Sequence, residues 1–347
     1  MFRNKAAYLA ISAVLSVTLL LFLLSRISGK DLIDTFRRIY WPALLAYAGI
    51  SLASAWLRAW RYRWLLSPLP ISWGNIFLVT FIRNSFDDLL PARIGSLSYI
   101  YFLNKRLNFP FEAAASSFVV ALILDFLTLS PFLVLALLVV GVAEASLPGP
   151  ILLSFAVVYF IATAVVFWNI VPVSRFLLLL YQRILKVLGV GEKKKALLSV
   201  EKFKMTIDSL TQVEKRRIGV PLLVLSLFIR LGKYLSLYAL LFGLLRSQGF
   251  GLSGIGFWKA ILGITGAELT SILPIRGLAG FGTWESAWAL SLRLMGFDPK
   301  LAIVSGIGIH LITNLFEYGL GLASLLVLAM PYFRRRPGCP RAGFMQE

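Results

Sequence analysis

Residues 90–128 and 273–317 are two versions of one element: a hydrophobic stretch broken by Leu-Pro-x-Arg, then a long apolar helix with polar residues inside it. The first reads Leu90-Pro91-Ala92-Arg93-Ile94-Gly95, with Leu107-Asn108-Phe109-Pro110 further on and Asp125 in the next helix. The second reads Leu273-Pro274-Ile275-Arg276-Gly277, with Met295-Gly296-Phe297-Asp298-Pro299 further on and Thr313-Asn314 at the corresponding depth. Proline withdraws a backbone donor and stops a helix. At membrane depth, non-helical backbone is tolerated only where it is buried in protein or lines water. In transporters, paired breaks in the two halves of a chain mark a substrate site. The sequence therefore points to a translocator of a lipid or solute.

Composition fixes the environment. A chain 59% hydrophobic and 15% charged, with mean hydropathy +0.82, is an integral membrane protein rather than a soluble domain. One cysteine, Cys339, leaves no internal disulfide framework, and one histidine leaves no metal-ligand cluster, so neither metal nor cofactor is expected. The net charge of +19 falls in loops and tails between apolar runs. That distribution fits cytoplasmic segments facing anionic headgroups, not nucleic acid.

The expected fold is all-α: a polytopic helix bundle of about six full spans plus two re-entrant helical hairpins in an inverted repeat. Residues 1–41 hold a first transmembrane helix (Ala6 to Leu24) and an interfacial helix (28–41). Residues 42–142 form the first repeat: a span over 42–60, a broken hairpin over 73–104 that stops at Pro91 and restarts after Gly95, and a span over 112–142. Residues 143–219 add a span (150–170) and a basic linker, 172–219, with eleven Lys/Arg against four Asp/Glu. Residues 220–333 form the second repeat, with spans over 220–245 and 299–331 around a broken hairpin over 257–296. A basic tail follows at 334–347. The positive-inside rule puts both termini, the Arg58–Arg63 end and the linker in the cytoplasm, with segment 26–38 the exception. The first hairpin then enters from the cytoplasm and the second from outside, an arrangement suited to alternating access.

Charges at bilayer depth cost roughly 2.5–3.5 kcal/mol each, so those in the hairpins should face a cavity or one another. They are Arg83, Asp87, Asp88 and Arg93, beside Asn84, in the first hairpin, and Glu268, Arg276 and Glu285 in the second. Asp87 or Asp88 could neutralise Arg83 or Arg93 and hold the break together. Gly277, Gly280 and Gly282 let backbone amides turn inward, and Thr283 is the expected N-cap of the next helix. With Arg276 alongside, such a helix N-terminus is an anion site, unless the glycines serve only a tight turn. His310, Asn314 and Glu317 recur at i, i+4 and i+7 and so share one helix face, with Asp125 on the partner helix of the first repeat. These residues glue helices together or, should a proton gradient be coupled, supply the pair His310 and Glu317. Asp87-Asp88 lacks the further carboxylates of a metal-dependent lipid enzyme, and no nucleophile elbow, P-loop or His-Glu-x-x-His pattern occurs. No enzymatic activity is expected.

Leu90-Pro91-Ala92-Arg93-Ile94-Gly95, Phe111-Glu112-Ala113-Ala114, Asp125 and the run Leu273-Pro274…Gly280-Phe281-Gly282-Thr283-Trp284-Glu285-Ser286-Ala287 resemble the lysylphosphatidylglycerol synthase transmembrane-region family of flippase-like proteins. The resemblance spans nearly the whole chain. It implies a polytopic inner-membrane protein whose better-known members move an aminoacylated phospholipid between leaflets, while others associate with lipid-linked sugar or polyisoprenoid pathways. By motif position it carries over Arg93, Arg276 and Glu285 as functional, with Gly95 in the first motif. The sequence departs at Ser96, where the family often has an acidic residue, and shows no soluble aminoacyl-transferase domain, so synthesis of the modified lipid is not expected of it.

The expected activity is translocation of an anionic or aminoacylated phospholipid or lipid-linked headgroup in the cell membrane. The alternative is a non-transporting scaffold or accessory subunit recruiting a partner through the 172–219 linker. Membrane lipids are the expected partners, with a lipid-modifying enzyme or a second copy of the chain as further candidates.

Overall fold

The computed structural model describes residues 5–67, 69–143, 149–191, 193–215, 219–270 and 277–330, and all regular structure among them is helical. Helix α1 (Lys5–Leu24) is followed, across an 84° bend, by α2 (Gly29–Arg37). A capping box sets that bend: Asp31 N–H donates to the Ser28 hydroxyl at 3.2 Å while the Ser28 amide donates to the Asp31 carboxylate at 2.9 Å. Next come α3 (Trp41–Leu66), α4 (Trp73–Leu89), a 3-10 turn (Pro91–Leu97) and α5 (Ser98–Leu107), which closes on left-handed Asn108. Helix α6 (Phe111–Ala143) leads to α7 (Gly149–Trp168), and α8 (Ile170–Val187) turns away from α7 by 88°. The basic segment forms a helix pair, α8 with α9 (Lys194–Lys215). The second half contains α10 (Gly219–Leu245), a single turn α11 (Leu252–Ile255), α12 (Phe257–Leu269), a 3-10 turn (Leu278–Gly280), α13 (Thr283–Leu294) and α14 (Pro299–Ala329).

Among the described residues α6, α10 and α14 are each long and apolar enough to cross a bilayer, and counting each bent pair as one span gives up to five. Helix α3 has the length, about 39 Å at 1.5 Å per residue, but Arg58, Arg61 and Arg63 lower its apolarity. Across the first break residues 91–97 wind as a 3-10 turn, and the α-helix resumes at Ser98. A Cβ on Gly95 would collide with the Phe86 carbonyl, so glycine lets this turn fold back onto the last turn of α4.

Helices pack in matched pairs. α3 lies along α10, α4 along α14 and α12 along α6, while α5 packs on α6 and α13 on α14. One apolar core gathers around Tyr62, Tyr99, Leu103 and Leu124, and another around Tyr234, Leu244, Ile264 and Trp288. The buried charges lie on helices that contribute to both.

Candidate functional site

The two broken segments touch each other: the 91–97 turn packs against the 278–280 turn, and α4 packs against the latter as well. The second turn is held by α1. Ser16 accepts from the Leu278 amide at 2.6 Å and donates to the Phe281 carbonyl at 3.0 Å. A Cβ on Gly277 would strike that same carbonyl, so glycine is required for the approach.

The start of α13 departs from the sequence reading. Gly282, with φ +84°, is the N-cap, and Thr283 is already inside the helix, its hydroxyl donating to the Gly280 carbonyl at 2.9 Å. The Gly282 amide donates at 2.8 Å to Oε2 of Glu285. The chain's own carboxylate, three residues on, therefore fills the place expected for an external anion.

Beyond this turn lies a cavity of about 110 Å³. Asp87 and Asp88 reach it from the last turn of α4, Lys233 from α10 and Glu268 from α12. Gly280 and Trp284 form the side of the second break, and His310, Thr313, Asn314 and Glu317 line it from one face of α14. Glu268 takes Lys233 at 2.6 Å and Arg230 at 3.1 Å. Asp87 accepts from the Ser96 hydroxyl, which links the first break to the cavity wall. Glu285 is fully buried just behind the lining, with His310 Nδ1 2.7 Å from its Oε1. The imidazole is stacked by Trp284 at 5.0 Å and contacted by Phe281 at 4.7 Å. His310 is thus paired with Glu285, not with Glu317.

Arg83 and Asp125 belong to a separate cluster of charges that does not line this cavity. Arg61, fully buried, pairs with Asp125 at 2.7 Å and donates to Ser226 at 3.0 Å. Arg83 reaches Asp125 at 4.0 Å and shares the Asn84 side-chain carbonyl with Arg58, at 3.3 Å and 2.7 Å. Arg230 donates to the Asp125 main-chain carbonyl at 2.5 Å, so it joins the cluster to Glu268 and hence to the cavity. Asp125, not Asp87 or Asp88, is the carboxylate within ion-pair distance of Arg83 among the described residues. Arg93 lies in the first 3-10 turn, but its side chain falls outside the described residues, as does all of Arg276.

Reasoning from sequence overlooked Arg58, Arg61, Arg230 and Lys233. The positive-inside rule counts Arg58 and Arg61 only as charge at the cytoplasmic end of a span. The usable signal was their spacing: Arg58/Arg61 and Arg230/Lys233 each sit three residues apart in an apolar helix, so each pair shares a face that must meet carboxylates or polar groups. Among the described residues no group of three or more His, Cys, Asp or Glu side chains is placed to hold a metal ion.

The family model for the lysylphosphatidylglycerol synthase TM region matches residues 9–321. The chain belongs to that family. The match runs from α1 into α14 and takes in both breaks, the cavity and the arginine cluster, so the site lies wholly within the family's shared part. No curated protein sequence gives a significant match.

Proposed function

We propose that this member of the lysylphosphatidylglycerol synthase TM region family is a translocator that passes the headgroup of an amphipathic phospholipid or lipid-linked compound between leaflets, with no covalent chemistry. The observation that carries the reading is the polar cavity at the meeting point of the two broken segments. A polar chamber inside an apolar bundle, bordered by interrupted helices, is what a crossing headgroup requires.

The chemistry of the lining narrows the headgroup. Asp87, Asp88, Glu268 and Glu317 face the cavity with Lys233, which suits a headgroup that brings an ammonium group, as an aminoacylated phospholipid does. Nε of Arg58, Arg61 and Arg83 and Nη2 of Arg61 are buried without a hydrogen bond. Such donors cost about 1–3 kcal/mol each to leave unmade, and Arg230, which joins this cluster to Glu268 on the cavity wall, is the route by which a headgroup phosphate in the cavity would feel their charge.

Six spans and two hairpins in an inverted repeat are part of this reading, and the helix pairing is consistent with the repeat. Exchanging α3 with α10, α4 with α12, α5 with α13 and α6 with α14 turns the pair α4–α14 into α12–α6 and leaves α3–α10 unchanged. In this reading the protein sits in the cytoplasmic membrane with both termini inside, and the hairpins rock while acyl chains remain in lipid. Leaflet exchange of a headgroup-labelled aminoacyl phospholipid in proteoliposomes tests the proposal. The wild-type protein should accelerate exchange, and the double variant Glu317→Gln/Asn314→Leu should lower it at least tenfold. Equal exchange by both proteins would refute the assignment.

A further inference from the structure

We infer that the trough between α1 and the α13–α14 hairpin seats one anionic phospholipid, at a site separate from the central cavity. The trough encloses about 720 Å³. Its floor is Leu23 and Ile303, both buried and packed in one small apolar cluster, and Phe22 and Leu290 form walls that are more than half exposed. One end carries three cations, Arg26, Arg293 and Lys300.

Among the described residues one of the three cations is matched by a carboxylate and two are not. Lys300 reaches Asp31 at 3.3 Å, while Asp298, the one acid of the lining, spends its carboxylate on the Leu301 amide at 3.1 Å as the cap of α14. Arg26 and Arg293 make no ion pair among the described residues; the Arg26 guanidinium lies 5.1 Å from the centre of the Phe22 ring. Two open guanidinium groups above an apolar slot fit a phosphodiester, which takes parallel N–H donations, with its acyl chain along the floor. A free phosphate would leave the slot empty, and a zwitterionic lipid would bring a choline cation to a rim already positive.

The far end of the trough points at the pathway. Ser286 lines it, and its buried hydroxyl has no hydrogen bond. Seven residues of helix, about 10 Å at 1.5 Å per residue, separate Ser286 from Arg293, so the slot runs along α13 from the cationic rim to the residue next to Glu285. A lipid held there waits beside the turn that borders the central cavity.

Binding of short-chain phosphatidylglycerol and phosphatidylcholine to the full-length protein in detergent, followed by native mass spectrometry and thermal shift, tests the inference. Phosphatidylglycerol should bind at least tenfold more tightly than phosphatidylcholine. Arg26→Gln/Arg293→Gln should erase the preference, and Leu290→Trp, which fills the slot but keeps the charges, should weaken phosphatidylglycerol to a similar degree. All these side chains are exposed, and the ligand-free thermal midpoint of each variant shows that it is folded. Glu317→Gln/Asn314→Leu, which tests the central cavity, should leave this binding unchanged. Equal affinity for the two lipids, unaltered phosphatidylglycerol binding in both trough variants, or loss of binding in the cavity variant would overturn the assignment.

Discussion

Glu285 ties three things together: the cap of α13, the second break and the histidine of the cavity. Removing its carboxylate separates its structural contacts from its charge. In Glu285→Ala the Gly282 amide loses its acceptor at 2.8 Å and His310 Nδ1 loses its partner at 2.7 Å, both to a carboxyl that is fully buried. Each buried group left unmade costs about 1–3 kcal/mol, and the lost side-chain volume adds to this, so the alanine variant should be destabilised by about 3–5 kcal/mol. Glu285→Gln keeps an acceptor for Gly282 and offers an amide N–H to Nδ1, provided the imidazole proton moves to its other nitrogen. Its cost should be only about 1–2 kcal/mol, the difference between charged and neutral hydrogen bonds. Thermal unfolding in detergent, followed by tryptophan fluorescence, reads both, because Trp284 stacks on His310 and on Trp288 at 5.5 Å. The midpoints should fall in the order wild type, Gln, Ala, with the larger drop at Ala. Equal midpoints for the Gln and Ala variants would show that the two hydrogen bonds do not hold this turn.

Asp125→Ala should destabilise the fold by about 3–5 kcal/mol, since it strands buried Arg61 and Arg83 without their carboxylate; Asp125→Asn should cost less, and a denaturation series on the two compares them. Gly95→Ala should cost about 1–3 kcal/mol because the new methyl meets the Phe86 carbonyl, whereas Gly141→Ala, with open space around it, should be neutral or stabilising in the same assay. The Ser28 amide and hydroxyl, with Lys300, hold the exposed Asp31 carboxyl below its ordinary 3.8. A depressed folded-state value stabilises above the unfolded value and is lost as pH falls through the folded one, so the α1–α2 elbow should stay intact from pH 7 to 5 and loosen below 3.8. A nitroxide on Arg37→Cys in a Cys339→Ser background should gain mobility only in that acid range, and Asp31→Asn should remove the pH dependence.

What could be read from sequence was local. Pro91 ends α4 within two residues of where the chain rule places it, and the i, i+4, i+7 spacing of His310, Asn314 and Glu317 puts all three on the cavity side of α14. The cap of α13 was also within reach, because Gly282-x-x-Glu285 has the spacing of a capping box; the more familiar Thr283 drew the assignment away. Where α5 resumes depended on how the 91–97 turn folds back under the Phe86 carbonyl, a contact no propensity encodes. The pairings were out of reach for another reason. Arg61 and Asp125 are 64 residues apart, and Arg230 and Glu268 are 38 apart. Which arginine meets which carboxylate is set by helix packing, so sequence could state that buried charges need partners without naming them. By contrast, an interfacial helix after a transmembrane one implies the near-right-angle turn at α2, whereas the 88° turn at α8 emerges only in three dimensions.

The claim on which the account rests is that the chamber between the two breaks opens in turn to each side of the membrane. Asn314→Cys, in a Cys339→Ser background, places one thiol on its wall. A membrane-impermeant maleimide, applied from one side at a time to oriented proteoliposomes, should label this thiol from both sides, and aminoacyl phospholipid should slow both reactions. Labelling from one side alone, or none at all in protein that is still folded, would contradict the account.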